Sequence, residues 1–407
     1  MSNYLTAAET AARLGISRQT LYAYVSRGVL QSLPGDTPRE SRYLESDVER
    51  LAVNRRRGRK PKDIAKATLD WGLPVLESSI TLIRDQHLYY RGLDAVELAA
   101  TKSLEDVAAH LWRMPKEIAF GDVQPLDPAR QAVLANLPAE RYEQSMLRDF
   151  TIASDDTGTA AWQRSPERIA EGCGSLVRLL AACMLDSKPS KEPIHKQCAK
   201  KWKLDADGAE LIRMALVLCA DHELSTSSFA VRCVASTGAS LRAAVIAGLA
   251  ALTGSRHGGT TARNEALWEE LGETQPTVKL HERLARGEDL PGFGHRIYPK
   301  GDPRAAALLA RVLPHHKPWQ ALVDEGSALV GAHPSVDFAL VVVRRHLKLP
   351  VGAAFGLFAL GRSVGWIAHA LEQRMMNYLI RPRAAYVGLA PTPASAQPVS
   401  SKRSRPT

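Results

Sequence analysis

From residue 64 to about 390 the chain runs through one amphipathic helical pattern after another and almost never alternates apolar with polar residues. That periodicity restricts the segment to an all-α body. "SLEDVAAHLW", opening on Ser103 and Glu105, "RIAEGCGSLVRLLAACML" and "DGAELIRMALVLCADHEL" each return apolar residues every third or fourth position. Glycine and proline fall between such stretches, and no period of roughly 20 to 50 residues recurs. At 407 residues the chain exceeds one ordinary core and suits two or three domains.

The first 54 residues follow a different plan. In "YLTAAETAARLGISRQTLYAYVSRGVL", Thr6 and Glu9 have capping-box spacing, Ala8, Ala11 and Leu14 share a face, and Gly15 stops the first helix. Ser17 caps a second helix, "RQTLYAYVSR", which ends at Gly28. Two short helices around a glycine turn make a helix-turn-helix, whose second helix can enter a major groove. Its outward residues Arg18, Gln19, Thr20, Tyr22 and Arg27 can contact phosphates or base edges of double-stranded DNA. "VLQSLPGDTPRESRYL" reads as two short strands around a Pro-Gly turn, and "SDVERLAVNRR" as a third helix with Ser46 and Glu49 at capping spacing. This winged helix-turn-helix domain, residues 1–54, resembles the DNA-binding domain of the MerR and excisionase group. A helical hairpin used for protein contacts is the competing reading.

Charge supports a polyanion partner for this end. The net charge is +10, and residues 1–63 hold 12 Lys or Arg against 7 Asp or Glu, culminating in "RRRGRKPK" within a basic linker at 55–63. Residues 391–407, rich in Pro, Ala and Ser, read as a disordered tail. No run approaches the ~18 uninterrupted apolar residues of a membrane span, and "MSNYLTAAET" lacks a signal-peptide pattern, so a cytoplasmic protein without membrane contact is expected. The five cysteines, Cys173, Cys183, Cys198, Cys219 and Cys233, form no CxxC pair and read as small buried hydrophobes.

Of twelve histidines, His222 in "ADHELSTSSFA", His257 in "TGSRHGGTTARNEA" and His295 in "GFGHRIYPKGDPRA" stand where the chain is tight and polar. Asp337 in "HPSVDFALVV" precedes an apolar helix. Metal-ligand spacings, phosphate loops, dinucleotide fingerprints and a GxSxG elbow are all missing, so no metal and no bound cofactor is expected. What is left is histidine donors, one carboxylate base and several arginines. That set suits proton abstraction beside a carbonyl followed by carbon–carbon bond formation. A carboxylate can deprotonate a weak carbon acid only if a preorganised donor stabilises the enolate, and arginines match the carboxylates of an acceptor.

"ADHEL", "SRHGG", "PGFGHRIYPKGDPRA", "HPSVDF", "ALGRSVGW" and "LIRPRAAYVG", in that order, resemble the citrate synthase family, as do "PVLESSITLI" and "LYYRGLDAVELA" upstream. The likeness covers about residues 70 to 390. It implies a mainly α fold with a large helical domain at 64–255 and 341–390, a small domain at 256–340 that closes over the substrates, and a homodimer. It also implies condensation of acetyl-CoA, as a coenzyme A thioester substrate, with oxaloacetate. By position, Asp337 would match the base that enolises the acetyl group, His257 the donor to the thioester carbonyl, and His295 the residue that polarises the oxaloacetate carbonyl. His222, Arg304 and Arg362 would match the residues that hold oxaloacetate, and Arg381 the arginine contributed by a second subunit. The backbone of Pro291, Gly292, Phe293 and Gly294 would lie near the coenzyme A adenine.

Departures surround this pattern without deleting an acid, base or arginine. Ser225 stands where an asparagine is common, "HGGTTARNEA" replaces a shorter "HGGANE", and Ala339, Leu340 and Val341 replace Tyr-Ser-Gly. They leave two other readings open: a 2-methylcitrate synthase-like enzyme using propionyl-CoA, and a DNA-binding regulator whose body senses acyl-CoA or oxaloacetate. A pocket separates acyl chains differing by one methylene by only ~1 to 3 kcal/mol, so motifs do not decide the acyl group.

Overall fold

The computed structural model describes residues 4–26, 29–35, 41–45, 47–49, 51–52, 76–138, 140–156, 158–384 and 386–389. Arg27, Gly28, Ser46, the basic linker at 55–63 and the tail at 391–407 lie outside them. The chain separates into a larger unit, Ser78–Arg381, and a second comprising Met1–Glu77 and Pro382–Thr407.

In the N-terminal residues, β1 (Tyr4–Thr6) leads into α1 (Ala7–Leu14), followed by α2 (Arg18–Ser26), β2 (Leu33–Pro34) and β3 (Ser41–Leu44). The capping box at α1 forms as its spacing requires: Thr6 Oγ1 accepts from Glu9 N at 3.3 Å, and the Glu9 carboxylate accepts from Thr6 N at 2.8 Å. Gly15, at φ 62°, ends the helix with its N–H on the Ala11 and Ala12 carbonyls. Ser17 Oγ accepts the Thr20 N–H at 3.1 Å and so starts α2. The expected face of α1 keeps Ala11 and Leu14 but has Thr10 buried in place of Ala8, which is exposed. Ala11 and Leu14 pack with Leu21, Leu30, Tyr43 and Val48 into a small core. The two expected strands pair antiparallel, and β1 adds to β3 as a third, giving the order β1-β3-β2.

The larger unit opens with the one feature that helical periodicity did not announce, an antiparallel meander of β4 (Thr81–Arg84), β5 (His87–Tyr90) and β6 (Leu93–Asp94). Its two-residue turns, Asp85-Gln86 and Arg91-Gly92, have positive φ at both positions, the geometry that matches strand twist. Helices follow. Leu104–Trp112 is capped by Ser103, whose partner is Asp106 and not Glu105: Ser103 Oγ accepts from Asp106 N at 3.2 Å, and the Asp106 carboxylate takes the Ser103 N–H at 2.9 Å. Glu105 turns inward to accept the Ile194 N–H at 2.7 Å.

The 24-residue helix Ala353–Met376 runs through the core, apolar on nearly every side. It packs against Leu104–Trp112, Ala206–Leu218, Thr226–Ser236 and Leu241–Leu252. By length and composition alone it could cross a membrane, but 94% of its most apolar window is buried inside the protein, as in a core helix. Gly361 and Gly365, one turn apart, let it approach the end of Ala206–Leu218. A Cβ on Gly361 would meet Leu216 O at 2.6 Å, and one on Gly365 would run into Ala220 O and the Asp221 side chain. A second group, Thr260–Leu271, Pro276–Ala285, Pro303–Val312, Lys317–Val330 and Val336–His346, packs largely on itself. Thr260 begins its helix directly after Gly259, so the residues following "HGG" are helical turns and not an inserted loop.

Candidate active site

The chain around His295 cannot be helical, because Gly292 and Gly294 take φ of 83° and 90°. Their carbonyl and amide pair instead with the segment before Asp337: Ser335 N donates to Gly292 O and Gly294 N to His333 O, both at 2.7 Å. The loop therefore clasps the start of Val336–His346. His295 Nδ1 accepts the Ile297 N–H at 3.2 Å, so the neutral ring carries its proton on Nε2. Burial, reinforced by Arg304, pushes its pKa down to about 4. His222 lies edge-on to it, centroids 5.3 Å apart, with Nε2 3.1 Å from Tyr298 Oη. His222 is buried and held well below its ordinary pKa by desolvation, then by Arg304 and Arg362.

Asp302 and Pro303 open the next helix as N-cap and first residue. Asp302 accepts Arg304 Nε at 2.9 Å and Nη2 at 2.8 Å, and its Oδ2 also takes the Val336 N–H at 3.1 Å. Burial alone would raise this carboxyl, but Arg304 holds it below its usual range, and Asp302 in return holds the guanidinium above its own against burial. Asp337, the second residue of Val336–His346, is half-buried. Burial pushes its pKa up to about 6. Arg304 opposes the shift and Asp302 adds to it. A carboxylate titrating near neutrality is suited to taking up a proton.

Arg362 emerges between the two close-packed glycines. Its Nε donates to Cys219 O at 2.9 Å and Nη1 to Ser225 Oγ at 3.4 Å, its guanidinium lies 4.8 Å from the Phe358 ring centre, and its buried Nη2 has no hydrogen-bond partner. Ser225 is the N-cap of Thr226–Ser236 and links to Ser227 Oγ at 3.3 Å. Ser227 Oγ accepts from Trp366 Nε1 at 3.1 Å and stands 2.8 Å from His257 Nε2. Burial, then Arg362, lowers His257 to about 4. All three histidines are thus neutral at pH 7 and act as hydrogen-bond donors or acceptors, not as cations.

Six residues expected from the sequence, His222, His257, His295, Arg304, Asp337 and Arg362, share one electrostatic neighbourhood, since the pKa shifts of His222, His257, His295 and Asp337 are set partly by the others. Pro291, Gly292 and Phe293 are half-buried and Gly294 exposed beside them. Arg381 is exposed in the extended segment beyond the core helix, and no hydrogen bond or ion pair ties it to the cluster. In α2, Arg18, Gln19 and Tyr22 are exposed, whereas Thr20 is half-buried with its hydroxyl 2.9 Å from Ser17 Oγ. Asp302, Tyr298 and Ser227 were missed as site residues. Only Asp302 carried a signal, its place before proline and two residues ahead of Arg304. Ala339, Leu340 and Val341 are fully buried in the core. Among the described residues no group of three or more His, Cys, Asp or Glu is arranged to hold a metal ion. Burial raises all five cysteine thiols, Cys173, Cys183 and Cys219 to about 12, which keeps them protonated.

Fold and site define a mainly helical protein with a largely buried polar cluster of neutral histidines, arginines and one raised carboxylate, preceded by a helix-turn-helix domain. Residues 68–383 match the protein-family model "Citrate synthase, C-terminal domain", and residues 4–56 match "Helix-turn-helix domain". The chain is 37% identical over 358 residues to the citrate synthase of Haloferax volcanii, covering 78% of this chain and 94% of that protein. It is 28% identical over 338 residues to the 2-methylcitrate synthase of Mycobacterium tuberculosis, covering 74% and 84%. The crystal structure of citrate synthase from Thermotoga maritima matches with a TM-score of 0.65 at 26% identity, over 79% of this chain and 95% of that one. The chain belongs to the citrate synthase family of enzymes.

Proposed function

We propose that the protein condenses acetyl-CoA with oxaloacetate and releases citrate and free coenzyme A. The observation that carries this reading is Asp337, a carboxylate raised to about 6 by burial within electrostatic reach of Arg304 and Arg362, the same two buried arginines that act on the neutral His222, His257 and His295. Asp337 removes a proton from the acetyl methyl group while His257 donates a hydrogen bond to the thioester oxygen, so that an enol and not a free carbanion forms. His295, with its proton on Nε2, polarises the oxaloacetate carbonyl. The enol carbon attacks that carbonyl carbon while the carbonyl oxygen takes the Nε2 proton of His295, and after product leaves the proton held by Asp337 is returned through solvent to the imidazole, restoring both groups. Arg304, Arg362 and His222 hold the oxo acid, with the unpartnered Nη2 of Arg362 supplying a ready donor for a carboxylate. Water then cleaves the citryl thioester to citrate and the thiol of coenzyme A. The backbone of Pro291 to Gly294 borders the coenzyme's adenine, and the helices between 256 and 340 act as the small domain that closes to exclude water. No metal or resident cofactor enters these steps.

Arg381, exposed beside Tyr378 and Leu379, is offered to the site of a second copy in a homodimer. Propionyl-CoA in place of acetyl-CoA would give 2-methylcitrate, a reading supported by the likeness to a 2-methylcitrate synthase. The exposed Arg18, Gln19 and Tyr22 of the helix-turn-helix domain support a second activity, binding of double-stranded DNA, which a dimer would present in pairs and the body's ligands could regulate. Acyl-CoA and DNA together would place the protein in the cytoplasm. A panel of acyl-CoA and 2-oxo acid pairs, read by thiol release, tests the reaction and identifies the acyl group.

A further inference from the structure

Asn264 is completely buried, yet neither its Oδ1 nor its Nδ2 has a hydrogen-bond partner. It sits in Thr260–Leu271, the helix that starts just after His257. Its amide fills the space where a side chain on Gly292 would be: a Cβ there would run into Asn264 Oδ1 and come within 2.9 Å of Phe338 Cβ. One side chain therefore stands among the helix following His257, the glycine loop leading to His295, and the residue after Asp337. Leaving two such groups unpaired in the interior is destabilising, whereas an apolar side chain of the same branching would carry no such penalty.

The loop beside it has backbone groups of unequal commitment. Gly292 O and Gly294 N are taken by Ser335 and His333 at 2.7 Å, but Phe293 N reaches Leu290 O only at 3.4 Å. Phe293 N is thus the weakly held group, one residue on from the glycine that Asn264 packs against. We infer that Asn264 is a positioning residue. Its amide latches the Gly292–Phe293 backbone when an acyl-CoA occupies the loop, and the clasp to His333 and Ser335 carries that placement to Asp337. This inference rests on the proposed acyl-CoA reaction.

Asn264→Leu, which keeps the branching at Cγ and removes both polar groups, separates the latch from an ordinary buried amide; Asn264→Ala repeats the test without a branched side chain. Thermal melts, steady-state kinetics and backbone hydrogen exchange of residues 290–295 with and without coenzyme A are compared in the full-length protein. The latch requires that the leucine variant melt at or above the wild type while its KM for acyl-CoA rises about fivefold or more, the worth of one hydrogen bond, with KM for the oxo acid within about twofold. Protection of 290–295 by coenzyme A would be lost in both variants. Unchanged KM and protection in a more stable leucine variant would overturn the inference and leave the reaction standing. A wild type that neither turns over nor binds coenzyme A would remove the reaction and the inference together.

Discussion

Asp302 grips Arg304 through both carboxylate oxygens, at 2.9 and 2.8 Å, and with the same Oδ2 holds the Val336 N–H at 3.1 Å. One buried carboxylate thus orients the guanidinium assigned to the oxo acid and fixes the first turn of the helix that carries Asp337. Removing one partner of such a pair strands the other charge in the interior, which costs about 3 to 5 kcal/mol. Asp302→Asn is expected to lower the melting temperature by several degrees and kcat/KM about a hundredfold. Steady-state kinetics paired with thermal melts checks both, and a variant with normal turnover would show that the pair does not set the site.

The raised pKa of Asp337 has two consequences. As a base it must be ionised, so kcat/KM falls on the acid side with an apparent pKa of about 6. Its folded pKa lies above its unfolded one, so ionisation opposes folding: the penalty is absent below about pH 4, grows up to about 6, and is constant above. Asp337→Asn should therefore stabilise the protein at pH 7.5, on the order of 2 to 3 kcal/mol, and by nothing at pH 4. Melts at the two pH values read the difference directly.

His257 and His295 give the opposite sign of pH dependence. Their folded pKa values, about 4, lie below the unfolded value, so the stability that goes with keeping them neutral is complete above about 6.5 and is lost as the pH falls towards 4. Replacing either by glutamine should flatten the acid limb of a stability curve between those values. A limb of unchanged slope would show that these imidazoles are protonated in the folded protein.

Gly365→Ala would push a methyl group into Ala220 O and the Asp221 side chain, next to His222. Overpacking of this kind costs about 1 to 3 kcal/mol. The variant should melt several degrees lower and lose oxo acid affinity as His222 is displaced. Retained KM at reduced stability would separate helix packing from the position of His222.

For the N-terminal domain, binding to DNA upstream of its own coding sequence should weaken steeply with salt, and Arg18→Ala should lessen that slope. Mobility shifts over a salt series decide the matter. Binding that ignores salt, or no binding, would favour protein contacts.

Much of the site was legible because its residues break the helical pattern. His257 and His295 stand beside glycines, Arg304 and Asp337 lie in the first turns of their helices, and His222 lies in the link between Ala206–Leu218 and Thr226–Ser236, where local sequence carries strong signals. Arg362 was legible only through family resemblance, since an arginine within an apolar helix has many explanations; its glycine neighbours and the orphaned Nη2 supply the physical one. Asp302 was hidden because an aspartate before proline is sufficiently explained as a helix cap. Asn264 and Ser227 looked like ordinary helical residues, and tertiary contact alone distinguishes them. The meander at Thr81–Asp94 escaped periodicity because its strands are four residues or fewer and its turns lack an Asn-Gly signature. The shift from Ala8 to Thr10 on the buried face of α1 shows that a threonine can pack where only its apolar neighbours were counted.

Every step proposed for the site depends on Asp337 enolising an acyl-CoA for attack on a bound 2-oxo acid. The most direct measurement of that role is release of free thiol from acetyl-CoA by the purified protein, with and without oxaloacetate, for the wild type and Asp337→Ala. Release is expected only when both substrates are present, and is expected to be lost in the variant. No release from any acyl-CoA with any 2-oxo acid tried, or equal release by the folded variant, would contradict that role.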